Sequence, residues 1–148
     1  MLVPTSLRAT LAALAAVASL ALAAAVPASA DEAPSNAFTH GTIRLTPGTG
    51  GGFVPINLPG PGTLVLVDAG PKVSAPGKSA KQWRIRRIER SAAGAPQVLL
   101  PLSPTNTGAE LLSARGELRF RVRVTFIPAG GTAASQTFGA KLRLTGAG

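Results

Sequence analysis

Glu117-Leu-Arg-Phe-Arg-Val-Arg-Val-Thr-Phe126 alternates without interruption. Leu118, Phe120, Val122, Val124 and Phe126 fall on one face, and Arg119, Arg121, Arg123 and Thr125 on the other. A side-chain period of two is that of a β-strand with one face buried and one in water. The run Thr137-Phe-Gly-Ala-Lys-Leu-Arg-Leu-Thr145 repeats the pattern, with Phe138, Ala140, Leu142 and Leu144 inward and Lys141 and Arg143 outward. The Pro, Gly and Ser of Ile127–Gln136 fit a long connecting loop. The end of the chain therefore reads as an antiparallel hairpin, apolar beneath and cationic above.

Upstream, Thr42–Thr46 is a short alternating strand. Phe53–Asn57 reads as an edge segment, because Pro55 cannot donate to a ladder. Thr63–Val67 is apolar on both faces, as a central covered strand would be. Gln82–Arg90 forms no apolar stripe at helical spacing; as a strand bulged at Arg86–Arg87 it puts Trp83 and Ile85 inward and Arg84 and Arg86 outward. Gln97–Leu102 and Glu110–Ala114 read as two further short strands around the Ser103–Gly108 loop. About seven or eight strands with regular turn signals, and no helical pattern after residue 30, predict an all-β antiparallel β-sandwich. A Trp-bearing strand in mid-chain and a long C-terminal hairpin resemble strands C, F and G of immunoglobulin-like sandwiches. The resemblance is architectural, since the chain has neither Cys nor Tyr.

The first thirty residues have a different logic. Arg8 precedes the Ala/Leu/Val stretch Ala9–Val26, and Pro27-Ala-Ser-Ala30 offers a small-residue cleavage site before Asp31. This is the layout of a cleavable secretory signal peptide, with a flexible arm over residues 31–40 and one sandwich domain over residues 41–148. The expected location is secreted, periplasmic or cell-surface, without a membrane span once the signal is removed. Disulfide-free export and the richness in Ala, Gly, Pro and Arg point to a bacterial source. Removing residues 1–30 from 148 leaves 118, enough for one packed core. It also removes Arg8, leaving 14 basic and 6 acidic residues, a net charge of +8. Such a surplus favours polyanionic partners.

Few residues offer catalytic chemistry. His40 is the only histidine, at the mouth of the first strand, and no Gly-x-Ser-x-Gly elbow accompanies it. Glu89, Glu110 and Glu117 are isolated among basic or apolar residues, where they neutralise arginines rather than pair as acid and base. Without cysteine, and with one histidine, the chain cannot assemble the ligands of a tight metal site, and no cofactor is expected. Gly48–Gly52 lacks the Gly-Lys-Ser/Thr ending of a phosphate loop.

The constellation with chemical content is the basic face. If strands 82–90, 118–126 and 137–145 share a sheet, Arg84, Arg86, Arg119, Arg121, Arg123, Lys141 and Arg143 project together. Guanidinium groups grip phosphate, sulfate or carboxylate through two parallel hydrogen bonds. This predicts a non-catalytic module that docks on an anionic glycan, lipid headgroup or wall polymer, against the plainer reading of a solvated arginine face. Nucleic acid is disfavoured, because the aromatic residues all read as core-directed. Two other expectations are a surface subunit assembling through a sheet edge and an inhibitor or accessory domain acting through loop 127–136.

Overall fold

The computed structural model describes residues 33–145. The signal peptide expected over residues 1–30 lies outside the described residues. The described chain is mostly β, in antiparallel sheets, with one α-helix. Among the described residues no helix is long and apolar enough to cross a membrane.

The first sheet is built on β3 (Gly52–Asn57), which pairs with β1 (Thr39–His40) and β2 (Arg44–Leu45) along one side and with β8 (Gln97–Leu102) along the other. Pro55 thus sits in a central strand, not the edge segment expected of it. Within one residue of an antiparallel strand, N–H and C=O point the same way, so the missing donor faces β1 and β2. There the ladder is already broken: residues 41–43 oppose only Val54 and Pro55, a one-residue bulge. The Pro55 carbonyl still accepts the Gly41 N–H at 2.8 Å.

The second sheet runs in the order β10, β9, β4, β7, with β4 at Gly62–Asp68, β7 at Ile88–Ala92, β9 at Glu117–Pro128 and β10 at Ala134–Arg143. The C-terminal hairpin is as its alternation predicts. Leu118, Phe120, Val122, Val124 and Phe126 are all buried, and the arginines between them are exposed. Its loop is shorter than expected, because the ladder pairs Ala134 with Phe126. Leu144, expected inward, lies beyond the strand and is exposed. Strand β4 is central, between β9 and β7. A third, two-stranded ladder joins β5 (Val73–Ser74) to β6 (Lys81–Gln82). Val54, Ile56, Leu100 and Leu102 of the first sheet share one apolar cluster with Leu64, Leu66, Val124 and Phe126 of the second.

Two segments depart from their sequence reading. Glu110–Ala114, expected as a strand, lies in helix α1 (Asn106–Arg115). Thr105 caps its start, its hydroxyl accepting the Gly108 N–H at 3.1 Å, and Gly116 closes it at φ 74° with its N–H on the Leu112 carbonyl. Thr107, Gly108, Leu111 and Leu112 are buried, the i, i+4 stripe by which a short helix docks. Residues 82–90 are not one strand either. Only β6, an isolated bridge from Ile85 to Pro104, and the start of β7 are paired. Trp83 faces out, 45% exposed, and Arg84 turns in.

The segment expected as an arm is tied down from Asn36. Asn36 donates to the Thr132 carbonyl at 3.0 Å, and Gln136 donates to the Phe38 carbonyl at 2.6 Å. Phe38 is buried edge-on against Phe126, at 6.2 Å between ring centroids. His40 stacks on Phe138 at 3.8 Å.

Candidate functional site

The β9–β10 register decides which charges meet. Arg119 stands opposite Lys141 and Glu117 opposite Arg143, while Arg121 faces Gly139 and Arg123 faces Thr137. Like charges directly opposite are destabilising, so a small or neutral residue across from Arg121 and Arg123 avoids most of the repulsion an unbroken basic face would carry. Glu117 relieves the rest. Its carboxylate accepts from Arg119 Nε at 2.5 Å and Arg143 Nε at 3.3 Å, with Lys141 Nζ at 4.0 Å. These are exposed pairs, each weakly stabilising because water screens them.

The Arg119 hydrogen bond, aided by the charges of Arg119 and Lys141 and the hydrogen bond from Arg143, holds the Glu117 carboxyl below its usual 4.5, partial burial opposing the shift. A lowered native pKa stabilises the fold in full above the unfolded value and is lost as pH falls through the native one. Melting temperature should therefore decline on acidification below about pH 4.5, and Glu117→Gln should flatten that part of the profile. An unchanged acid limb would mean that Glu117 is not coupled to folding.

Beside this cluster, where α1 ends and β9 begins, lies a cleft of about 630 Å³. Four arginines line it, Arg84, Arg115, Arg119 and Arg143, with Glu117 as its single carboxylate and Val73, Leu111 and Leu118 as apolar wall. Arg84 is the most firmly held. Its guanidinium, 13% exposed, lies 3.1 Å from the fully buried carboxylate of Asp68. Asp68 also accepts the backbone N–H of Arg84 and of Gly70, each at 2.9 Å. Arg115 occupies the last turn of α1, where a cation is favoured by the helix dipole. Among the described residues it makes no ion pair. A phosphate, sulfate or carboxylate entering the cleft would meet guanidinium N–H donors, of which those of Arg84 are held in place by Asp68.

The seven residues expected on one face are thus divided. Arg84, Arg119 and Arg143 line the cleft, and Lys141 borders it through Glu117. Arg121 and Arg123 continue outward along β9, exposed. Arg86 lies elsewhere: its Nε donates to the Pro104 carbonyl at 3.4 Å, and its own stretch is not paired with β9. Arg115 and Asp68 were not legible as site residues. The signal for Arg115 is its place just before the helix-closing Gly116; for Asp68 it is the inward phase of Leu64 and Leu66, which it extends.

Among the described residues the other two carboxylates pair singly with cations, Glu110 with Lys78 at 2.7 Å and Glu89 with Arg87 at 3.2 Å. Among the described residues no three His, Asp or Glu side chains gather as a metal site would require. Comparison with family models, curated proteins and solved structures finds no match to the chain.

Proposed function

We propose that this chain is an exported, non-catalytic module, an immunoglobulin-like β-sandwich in form, that docks on anionic polymers or cell-surface groups. The supporting observation is the cleft in which Arg84, Arg115, Arg119 and Arg143 surround one carboxylate, continued by Arg121 and Arg123 along β9. The ligand class follows from the donors: an acidic glycan, lipid headgroup or wall polymer bearing closely spaced phosphate, sulfate or carboxylate groups. The export element rests on the sequence pattern of residues 1–30.

Retention on an immobilised sulfated polysaccharide tests the reading. Binding should fall steeply with salt, because each neutralised anion releases a condensed counterion. Arg115→Ser, Arg119→Ser and Arg143→Ser together should weaken it at least tenfold, since one charge-assisted hydrogen bond is worth about 1.5–3 kcal/mol. Arg86→Ser, outside the cleft, should change little. Salt-independent retention, or none, overturns the reading.

Assembly through a sheet edge has less behind it. The outer strand β10 carries Lys141 and Arg143, and charge on an edge strand discourages strand addition. The accessory-loop alternative loses much of its loop, since the ladder closes at Phe126 and Ala134.

A further inference from the structure

Trp83 is the only tryptophan in the chain and lies 45% exposed. Its backbone is nevertheless fixed. The Trp83 carbonyl accepts the Thr105 hydroxyl at 2.5 Å, and the next residue is bonded on both sides, the Arg84 N–H to Asp68 and the Arg84 carbonyl to the Thr105 N–H at 3.0 Å. A large aromatic on a pinned backbone is a rigid contact surface that loses little entropy on binding. Lys72 Nζ lies over one face of the indole, 5.2 Å from its centroid. Beside the ring opens a shallow cavity of about 280 Å³, walled by Val67, Ile85, Arg87 and Arg123 as well as Trp83 and Asp68. The Asp68 carboxylate is already gripped by Arg84, so what the cavity offers a ligand is an apolar ring face and cations.

That combination selects among polyanions. Inorganic polyphosphate has no apolar surface to set against an indole. A single strand of nucleic acid has, but its binders stack successive bases on several rings. Among the described residues the other exposed large aromatic is Phe53, on β3 in the other sheet. One ring bordered by guanidinium groups suits a sugar that presents a flat C–H face and one acidic substituent.

Resting on the polyanion reading above, we propose that Trp83, Arg123 and Lys72 form a subsite for an acidic sugar residue of a glycan chain. Its C–H face lies on the indole face turned from Lys72 toward the cavity, and its carboxylate or sulfate is held by Arg123. Arg119, Arg121 and Arg123 follow one another on the outer face of β9, so the subsite is about 13 Å from the cleft's Arg119. A ligand bridging the two is an oligomer rather than a single sugar.

The lone tryptophan is its own reporter. A titration of the intact protein with an oligouronate at low salt should change Trp83 emission, whereas a neutral oligosaccharide of equal length should not. By calorimetry, Trp83→Ala should lose about five- to tenfold in affinity for the oligouronate and less than twofold for polyphosphate. Trp83→Phe should recover part of the loss, and an unchanged melting temperature would show that the exposed substitution leaves the fold intact.

Oligouronate binding with silent Trp83 emission overturns the subsite and leaves the polyanion reading standing. So does an equal loss of both ligands in Trp83→Ala. Tighter binding of an oligothymidylate, with Trp83 quenching, overturns the glycan assignment in favour of nucleic acid. If no polyanion binds at all, both readings fall together.

Discussion

Asp68→Ala should lower the unfolding free energy by about 3–5 kcal/mol, the cost of stranding one partner of a buried ion pair. The carboxylate is inaccessible to solvent and receives two backbone N–H groups and one guanidinium, so its loss leaves three donors without an acceptor. Against a typical domain stability of about 5–15 kcal/mol, that brings the fold near its threshold. Asp68→Asn, which keeps one carbonyl acceptor but no charge, should cost less. The decisive measurement is a double-mutant cycle by urea denaturation. Arg84→Met alone should also be costly, because it buries Asp68 unpaired. Asp68→Leu with Arg84→Met should cost much less than the two single changes added together, since an apolar pair has no charge to strand. Additive losses, or a cost under about 1 kcal/mol for Asp68→Ala, would contradict the geometry. The pair does more than hold the fold, because it also sets the direction of one wall of the arginine cleft.

Gly108→Ala gives the second large effect, with a sign opposite to helix propensity. Alanine in place of a glycine inside a helix ordinarily gains up to about 1 kcal/mol, and Gly108 lies in the first turn of α1. At this position a Cβ would meet the Arg84 backbone, its carbonyl carbon at 2.9 Å and its Cα at 3.3 Å, with the carbonyl oxygen closer still. None of these atoms is the loose end of a side chain. We expect a loss of about 3 kcal/mol, the upper part of the range for overpacking a tight site, read as a lowered urea midpoint at unchanged slope. Polyanion affinity should fall as well, because the helix that carries Arg115 would be pushed from the segment that carries Arg84. A gain in stability would show that α1 does not lie against Arg84 in solution.

The elements legible in the sequence were those whose pattern one chain segment completes alone. The β9–β10 hairpin needs only its alternation, and Thr63–Val67 only its apolar run, which the structure makes the central strand β4 with Leu64 and Leu66 buried. Helix α1 was hidden because its buried first turn is Thr107 and Gly108, residues that read locally as a turn. Gly108 is acceptable in a helix only because a neighbouring backbone crosses it. Residues 82–90 misled for a related reason. Alternation put Trp83 inside and Arg84 outside, but a carboxylate sixteen positions earlier holds the Arg84 N–H and guanidinium and reverses both. The same contact explains the site. The basic stripe of β9 was visible residue by residue, whereas the cleft needs Arg115 from a helix and Arg84 from a connecting segment drawn inward by a buried anion.

The bonds made by residues 36–40 bear on where the chain can be shortened. Thr39 pairs with Asn57 in the first sheet, while the carbonyl just before it binds Gln136 in the second. This short piece is a rivet through both layers. A version starting at Ala33 retains the rivet whole; one starting at Gly41 forfeits a buried phenyl ring, an aromatic stack and a clasp on β10, and leaves the interior around Phe126 open to water.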